Sequence, residues 1–206
     1  MMELDSHTPE SGRYIIHSLY FDDYKDISVY FGDAGLSERF KWRIRYYGDD
    51  LSYIVLEKKE KKEGRCHKES CKITLDEYND IINKDAFDLL FDTDKDLIRK
   101  LAIDMITKNY RPKIIIDYER IAYVEEITNV RVTFDMKISA SYELENFLDG
   151  DYQNFYILPS GVNVLEVKFD SILPSYLRNI IESYSYKQGS FSKYYYGRKI
   201  IDCYMR

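Results

Sequence analysis

The nine residues from Arg39 to Tyr47 (RFKWRIRYY) alternate strictly between two chemical kinds through Tyr46. Arg39, Lys41, Arg43 and Arg45 share one parity, and Phe40, Trp42, Ile44 and Tyr46 share the other. A period of two is the signature of a strand, whose successive side chains point to opposite faces. The apolar parity needs a core, and the other parity carries four cations and no acid. A solvated sheet face usually mixes signs, because like charges side by side repel. Two readings stay open on the pattern: an outer face over a one-sided core, or a concave wall that meets a polyanion.

Neighbouring segments extend the pattern. Arg13–Phe21 reads as a strand, and Asp22–Ser37, with Gly32 and Gly35, as a turn region. After the Gly48-Asp49-Asp50 turn, Leu51–Lys62 puts Val55, Glu57, Lys59 and Lys61 on one face; Gly64 ends it and Arg65–Ile73 follows as a short strand. Thr74 with Glu77 forms a capping-box pattern, which predicts a helix over 75–82. Leu97, Ile98, Leu101, Met105 and Ile106 predict another over 95–108, capped by Thr93 or Asp94. Pro112 opens a second β block: 113–125, 129–139, a short piece at 142–147, and 161–170. In it Tyr118 and Arg120 share one face, as do Arg131, Thr133, Asp135 and Lys137, and as do Glu166 and Lys168. Helices are expected over 173–184, with Pro174 in the first turn, and over 191–205.

Strands, helices, strands, helices is the order of an α+β fold with a mostly antiparallel sheet. Residues 1–12 read as a polar tail, and 13–206 as one domain. A closed sheet of about eight strands holds a ligand in place of a packed core. Lined with Arg and Lys, it would grip phosphates, since the guanidinium fork makes two bonds to phosphate oxygens and keeps its proton. Glu57-x-Lys59 and Glu166-x-Lys168 would set a carboxylate beside an ammonium in each β block, suited to a Mn²⁺ or Mg²⁺ shared with the phosphates.

Several function classes are disfavoured. A net charge of −6 argues against a nucleic-acid partner. No segment approaches the roughly 20 apolar residues of a membrane helix, and the acidic N-terminus lacks the apolar region of a signal peptide. Three cysteines, Cys66, Cys71 and Cys203, are too few for a disulfide framework, so a reducing cytoplasm is the default. Cys66-His67 with Cys71 lacks the paired spacing of structural zinc. His17 reads as a packed or surface histidine. The 21 tyrosines are scattered, and Tyr46-Tyr47 alone make no base-stacking platform.

Ser18–Asp23 (SLYFDD), Arg39–Tyr47 and Leu56–Lys59 (LEKK) resemble the first half of the VTC domain, the polyphosphate polymerase domain of the vacuolar transporter chaperone complex and its bacterial relatives. Asp117–Arg120 (DYER), Val130–Asp135 (VRVTFD), Leu165–Phe169 (LEVKF) and Phe191–Tyr194 (FSKY) resemble its second half, in order. That family belongs to the triphosphate tunnel metalloenzymes, also called CYTH-like proteins. The resemblance implies an antiparallel β-barrel with a basic interior flanked by helices. It implies transfer of the ATP γ-phosphate to a growing inorganic polyphosphate chain, with Mn²⁺ or Mg²⁺. Carried over by motif, Arg43, Arg45, Lys59, Arg120, Arg131 and Lys193 would do the catalytic work. Lys68, Tyr118, Lys168 and Ser192 would join them on the phosphates, and Glu166 and Glu57 would take the metal.

Family members open with a Glu-x-Lys-Tyr strand and a helix. This sequence has no counterpart of either, and Met1 falls where that helix would end. Two other activities fit the same motifs: hydrolysis of triphosphates, and a non-catalytic polyphosphate-binding module. An exposed strand edge would favour a homodimer.

Overall fold

The computed structural model describes residues 2–6, 8–29, 39–62, 65–170, 172–184 and 186–205. The turn expected at Gly32 and Gly35 and the break at Gly64 lie outside the described residues. Among the described residues, nine strands form one antiparallel sheet: β1 (Glu3–Leu4), β2 (Tyr14–Asp22), β3 (Arg39–Tyr47), β4 (Asp50–Lys62), β5 (Arg65–Ile73), β6 (Arg111–Glu125), β7 (Val130–Ser141), β8 (Phe155–Tyr156) and β9 (Val164–Lys168). The order is β5-β4-β3-β2-β6-β7-β8. Strand β1 pairs with the end of β6 beyond β2, and β9 with the half of β7 that β8 leaves open. Glu3–Leu4 thus belong to the sheet, although the sequence reads there as a tail. Among the described residues no ladder joins β5 to β8 or β9. The expected barrel is a curled sheet with an open seam.

Part of the curl comes from a bulge. The β6–β7 register shifts between Asp117 and Glu119, and Lys137 takes a left-handed φ of 49°. A bulge bends the strand and strengthens its twist. It also corrects the expected parity of β7: Asp135 faces the concave side, whereas Lys137 points away and bonds Glu119 at 2.6 Å.

The convex face carries the larger core. Leu19, Phe21, Trp42, Ile44, Tyr46, Leu56 and Ile115 meet helices α1 (Leu75–Asn83), α2 (Ala86–Asp92) and α3 (Asp96–Lys108). The capping box at α1 is present, with Thr74 accepting from the Glu77 amide and Glu77 from the Thr74 amide. Helix α3 begins one residue later than expected. Lys95 sits at its N-cap without a side-chain bond, and Thr93 accepts from the Lys95 amide instead. The seven residues of α2, capped by Asp85, complete too few turns for periodicity to announce them. Residues 142–147, expected as a strand, hold a 3₁₀ turn at Leu144–Asn146 that delivers Phe147 to this core.

The concave face is partly filled from the C-terminus. Helix α5 (Lys193–Tyr204) packs Tyr194 and Ile201 against Ile16, Tyr20, Ile114, Ile116, Ile138 and Ala140. Gly197 allows the close approach: a Cβ there would collide with Ile116 Cδ1. Helix α4 (Ser175–Glu182) seats Leu177 on a third, smaller cluster with Val130 and Val132, behind β9; Pro174 is its N-cap and not its first turn. No described helix is long and apolar enough to cross a membrane.

Candidate functional site

The cationic parity of β3 faces the concave side, so the sheet wears its charge inward. Arg43 donates from Nε to Glu57 at 2.5 Å and from a terminal nitrogen to the Tyr20 hydroxyl at 3.1 Å. Arg45 donates to Ser18 Oγ at 3.2 Å and to the Tyr118 hydroxyl at 3.1 Å. These bonds fix both guanidiniums by their edges. Register explains the neighbours: Tyr20 pairs with Arg43, and Ser18 with Arg45, across β2–β3.

Glu57 lies below this pair. Lys68 reaches it from β5 at 2.5 Å, on the oxygen that Arg43 leaves, and Arg45 stands 3.9 Å away. Burial alone would raise the Glu57 pKa. Arg43, Arg45 and Lys68 outweigh it and hold the carboxyl down at about 2. Tyr20 responds to the same charges. Burial pushes its phenol up, but Arg43, Arg45 and Lys41 bring it to about 8.

The second wall comes from β6, β7, β9 and α5. Arg120 grips Asp135 with two bonds, at 2.7 and 2.8 Å. Lys193, from the first turn of α5, reaches the same carboxylate at 2.6 Å and stands 4.7 Å over the Tyr118 ring. Glu166 sits 3.4 Å from Lys168 and 3.9 Å from Arg120, and both ion pairs hold its pKa down against burial. Ser192 caps α5 and accepts from Lys41 at 2.9 Å, tying the helix to β3. Arg131 is set apart: it bonds Asp5 at 2.9 Å, at the mouth where β1 lies.

The two walls face each other. Burial lowers the Lys168 pKa most; Glu166 opposes it, and the Lys59 ammonium lowers it further. Lys59 is on β4 and Lys168 on β9, which share no ladder. Their repulsion therefore acts across the space between the walls. Of the residues singled out in the sequence, Arg43, Arg45, Lys59, Lys68, Tyr118, Arg120, Lys168, Ser192, Lys193, Glu57 and Glu166 come to this concavity. Sequence reading missed Asp135, Tyr20, Ser18 and Lys41 as members of it. Asp135 shares the parity of Arg131, and Lys41 that of Arg43, which is the signal that finds them.

The two carboxylates expected for a metal differ. Both oxygens of Glu57 already serve cations and the side chain is 2% exposed, so it is an anchor for Arg43 and Lys68 and fits a metal ion poorly. Glu166 is 39% exposed and its ion pairs are loose. Directly opposite it in the β7–β9 ladder lies Thr133, whose hydroxyl is buried with no hydrogen-bond partner. An accessible carboxylate beside an orphaned hydroxyl is an all-oxygen donor set, which suits a hard divalent cation completed by phosphate and water. Among the described residues no group of three His, Cys, Asp or Glu side chains could hold a metal alone. Cys66, Cys71 and Cys203 are free.

Two solved structures share this architecture. One is a candidate adenylyl cyclase from Hippeastrum for which a dominant triphosphatase activity is reported. It is 14% identical, with a TM-score of 0.56, over 91% of this chain and 82% of that one. The other is a candidate adenylate cyclase from Bacillus halodurans, 12% identical, with a TM-score of 0.51, over 90% of this chain and 82% of that one. Identities so low speak for the fold alone. No curated protein sequence matches the chain. The VTC domain model matches residues 1–201, nearly the whole length. With its inward basic face and its open triphosphate-tunnel fold, the chain belongs to the VTC domain family.

Proposed function

We propose that this domain transfers the γ-phosphoryl group of ATP to the end of an inorganic polyphosphate chain. What supports the reading is the convergence of Arg43, Arg45, Lys59, Lys68, Arg120, Lys168 and Lys193 on one concave face. Phosphoryl transfer asks the protein mainly for alignment and charge stabilisation. The new bond joins a terminal oxygen of the chain to the γ-phosphorus. The bond that breaks runs from the γ-phosphorus to the β-bridging oxygen, and ADP leaves. Arg43 and Arg45, steered by Glu57, Tyr20, Ser18 and Tyr118, hold the phosphates from one wall. Arg120 and Lys193, steered by Asp135, hold them from the other. Lys59, Lys68 and Lys168 supply the more accessible charge at the seam, and Arg131 and Ser192 flank the path. Glu166 with Thr133 would hold Mn²⁺ or Mg²⁺, which when bound neutralises phosphate charge.

The test is a product assay. The chain is incubated with ATP and Mn²⁺ or Mg²⁺, and products are resolved on a polyacrylamide gel. A ladder longer than three phosphates, lost in Arg43→Ala and Arg120→Ala while both variants keep a cooperative melt, bears the proposal out. Free phosphate without a ladder supports a second reading, triphosphate hydrolysis, which the activity reported for the Hippeastrum protein favours. Tight binding of tripolyphosphate with no turnover in either metal would leave only a binding module.

A further inference from the structure

The helical layer on the convex side gathers the chain's excess charge. Residues 76–96, which cover α1, α2 and the start of α3, hold eight acids and two lysines, a net charge of −6 that equals the net charge of the whole chain. The two lysines are already engaged: Lys84 with Asp80 and Asp92, and Lys95 with Glu77. Asp76, Asp88 and Asp94 are exposed and have no ion-pair partner among the described residues. Two large apolar side chains stand in this acidic field. Phe87 and Phe91 lie one turn apart on α2 and are 58% and 79% exposed, with the row Asp88–Asp92 running beside them. Between α1, α2 and α3 opens a cavity of about 80 Å³, where Glu77, Asp80, Asp92 and Asp94 surround a floor of Leu89 and Ile98.

From this face we infer a docking surface for a partner protein that presents a basic amphipathic helix, with apolar residues on one side and Lys or Arg on the other. The inference is independent of what the concave face binds, because the sheet lies between the two. A single exposed phenylalanine is ordinary. Two on adjacent turns, ringed by charge of one sign, fit the i, i+4 anchors through which a helix is read. The charge decides the partner. Unpaired carboxylates repel phosphate, which rules out a nucleic acid and an anionic lipid surface. They attract Lys and Arg, steer the encounter and fix its orientation, while burial of the two rings supplies affinity. The cavity is far below the roughly 300–1,000 Å³ of a metabolite pocket, and its size suits the head of one Lys or Arg side chain.

The probe is a rhodamine-labelled synthetic helix with leucines at i, i+3, i+4 and i+7 and lysines and arginines elsewhere, titrated with the full chain and followed by fluorescence anisotropy. The same peptide with serines in place of the leucines reports on charge alone. The expected result is saturable binding of the leucine peptide, weakened about tenfold or more by Phe87→Ser/Phe91→Ser. Both rings are exposed, so this variant should melt as the wild type does. Asp88→Asn/Asp94→Asn should weaken binding about threefold or more at low salt, with the difference shrinking as salt is added. In backbone NMR spectra the peptide should move the amides of residues 75–98. Equal affinity for the serine peptide, equal binding by the phenylalanine variant, shifts centred elsewhere, or no binding at about 1 mM protein would each overturn the inference. So would self-association of the wild type in equilibrium sedimentation that Phe87→Ser/Phe91→Ser abolishes, which would give the face to a second copy of the chain.

Discussion

Glu57→Gln separates what holds the tunnel together from what the tunnel binds. The wild-type carboxyl is 2% exposed and neutralises Arg43 and Lys68 directly, with Arg45 nearby. Its pKa falls from an ordinary 4.5 to about 2. At about 1.4 kcal/mol per pH unit, the charged form contributes about 3 kcal/mol to the folded state. Because the folded value is the depressed one, that contribution is whole above pH 4.5 and fades as pH falls toward 2. The isosteric amide should therefore cost about 3 kcal/mol at pH 7, or about 6–12 °C in Tm for a chain of this size. Urea melts at pH 7, 5 and 3 should show the gap between the proteins narrowing with acid. Tripolyphosphate should act in the opposite sense. With Glu57 neutral, three cations lose their partner, so the variant binds the polyanion more tightly and gains more stability from it. At about 100 times the dissociation constant a ligand adds about 2.7 kcal/mol, enough to return most of the loss. A variant within about 0.5 kcal/mol of wild type at pH 7, or a gap that is the same at pH 7 and pH 3, would refute this account of Glu57.

Three further outcomes follow from the geometry. Arg120→Met should cost about 3–5 kcal/mol in urea melts by stranding the fully buried Asp135 with Lys193 alone, and adding Asp135→Leu should recover part of it. Gly197→Ala, despite its better helix propensity, should destabilise by about 1–2 kcal/mol through the contact with Ile116 Cδ1; Ile116→Val, which removes that atom, should relieve it in a thermal melt. Titration followed by phenolate absorbance should show one tyrosine ionising near pH 8, absent in Tyr20→Phe. As its folded value is lowered from 10, its ionisation favours the folded state as pH rises through 8 toward 10, and bound tripolyphosphate should move the midpoint up by neutralising the arginines.

Legibility varied with how regular the local pattern was. The inward row of β3 could be assigned from alternation alone, because eight residues, Arg39 to Tyr46, keep one period and the ladder partners in β4 and β5 follow in register. Lys137 could not, since one left-handed residue at a bulge reverses parity and no residue type there demands it. Asp135 was visible as a charge and invisible as a partner. A single acid in a mixed row becomes significant only when Arg120 and Lys193, distant in sequence, converge on it. Tyr14, Tyr47 and Tyr53 were discounted because they are scattered in the sequence. Their rings meet because three antiparallel strands begin or end at one rim, a fact of topology and not of spacing. Glu57 and Glu166 look alike in sequence, each two residues before a lysine. They differ because β4 lies between two paired strands, whereas among the described residues β9 pairs on one side only.

Strand β3 has a consequence for how such a chain can change over evolutionary time. Its even positions answer to the helices on one side, and its odd positions face the concave side, where Arg43 and Arg45 bond residues of β2, β4 and β6. Substitutions at odd positions can alter charge, reach and hydrogen bonding while the packing that holds the strand in place is untouched. Two selective pressures thus act on interleaved letters of one nine-residue word with little interference. The fold itself recurs in solved structures 12–14% identical to the chain.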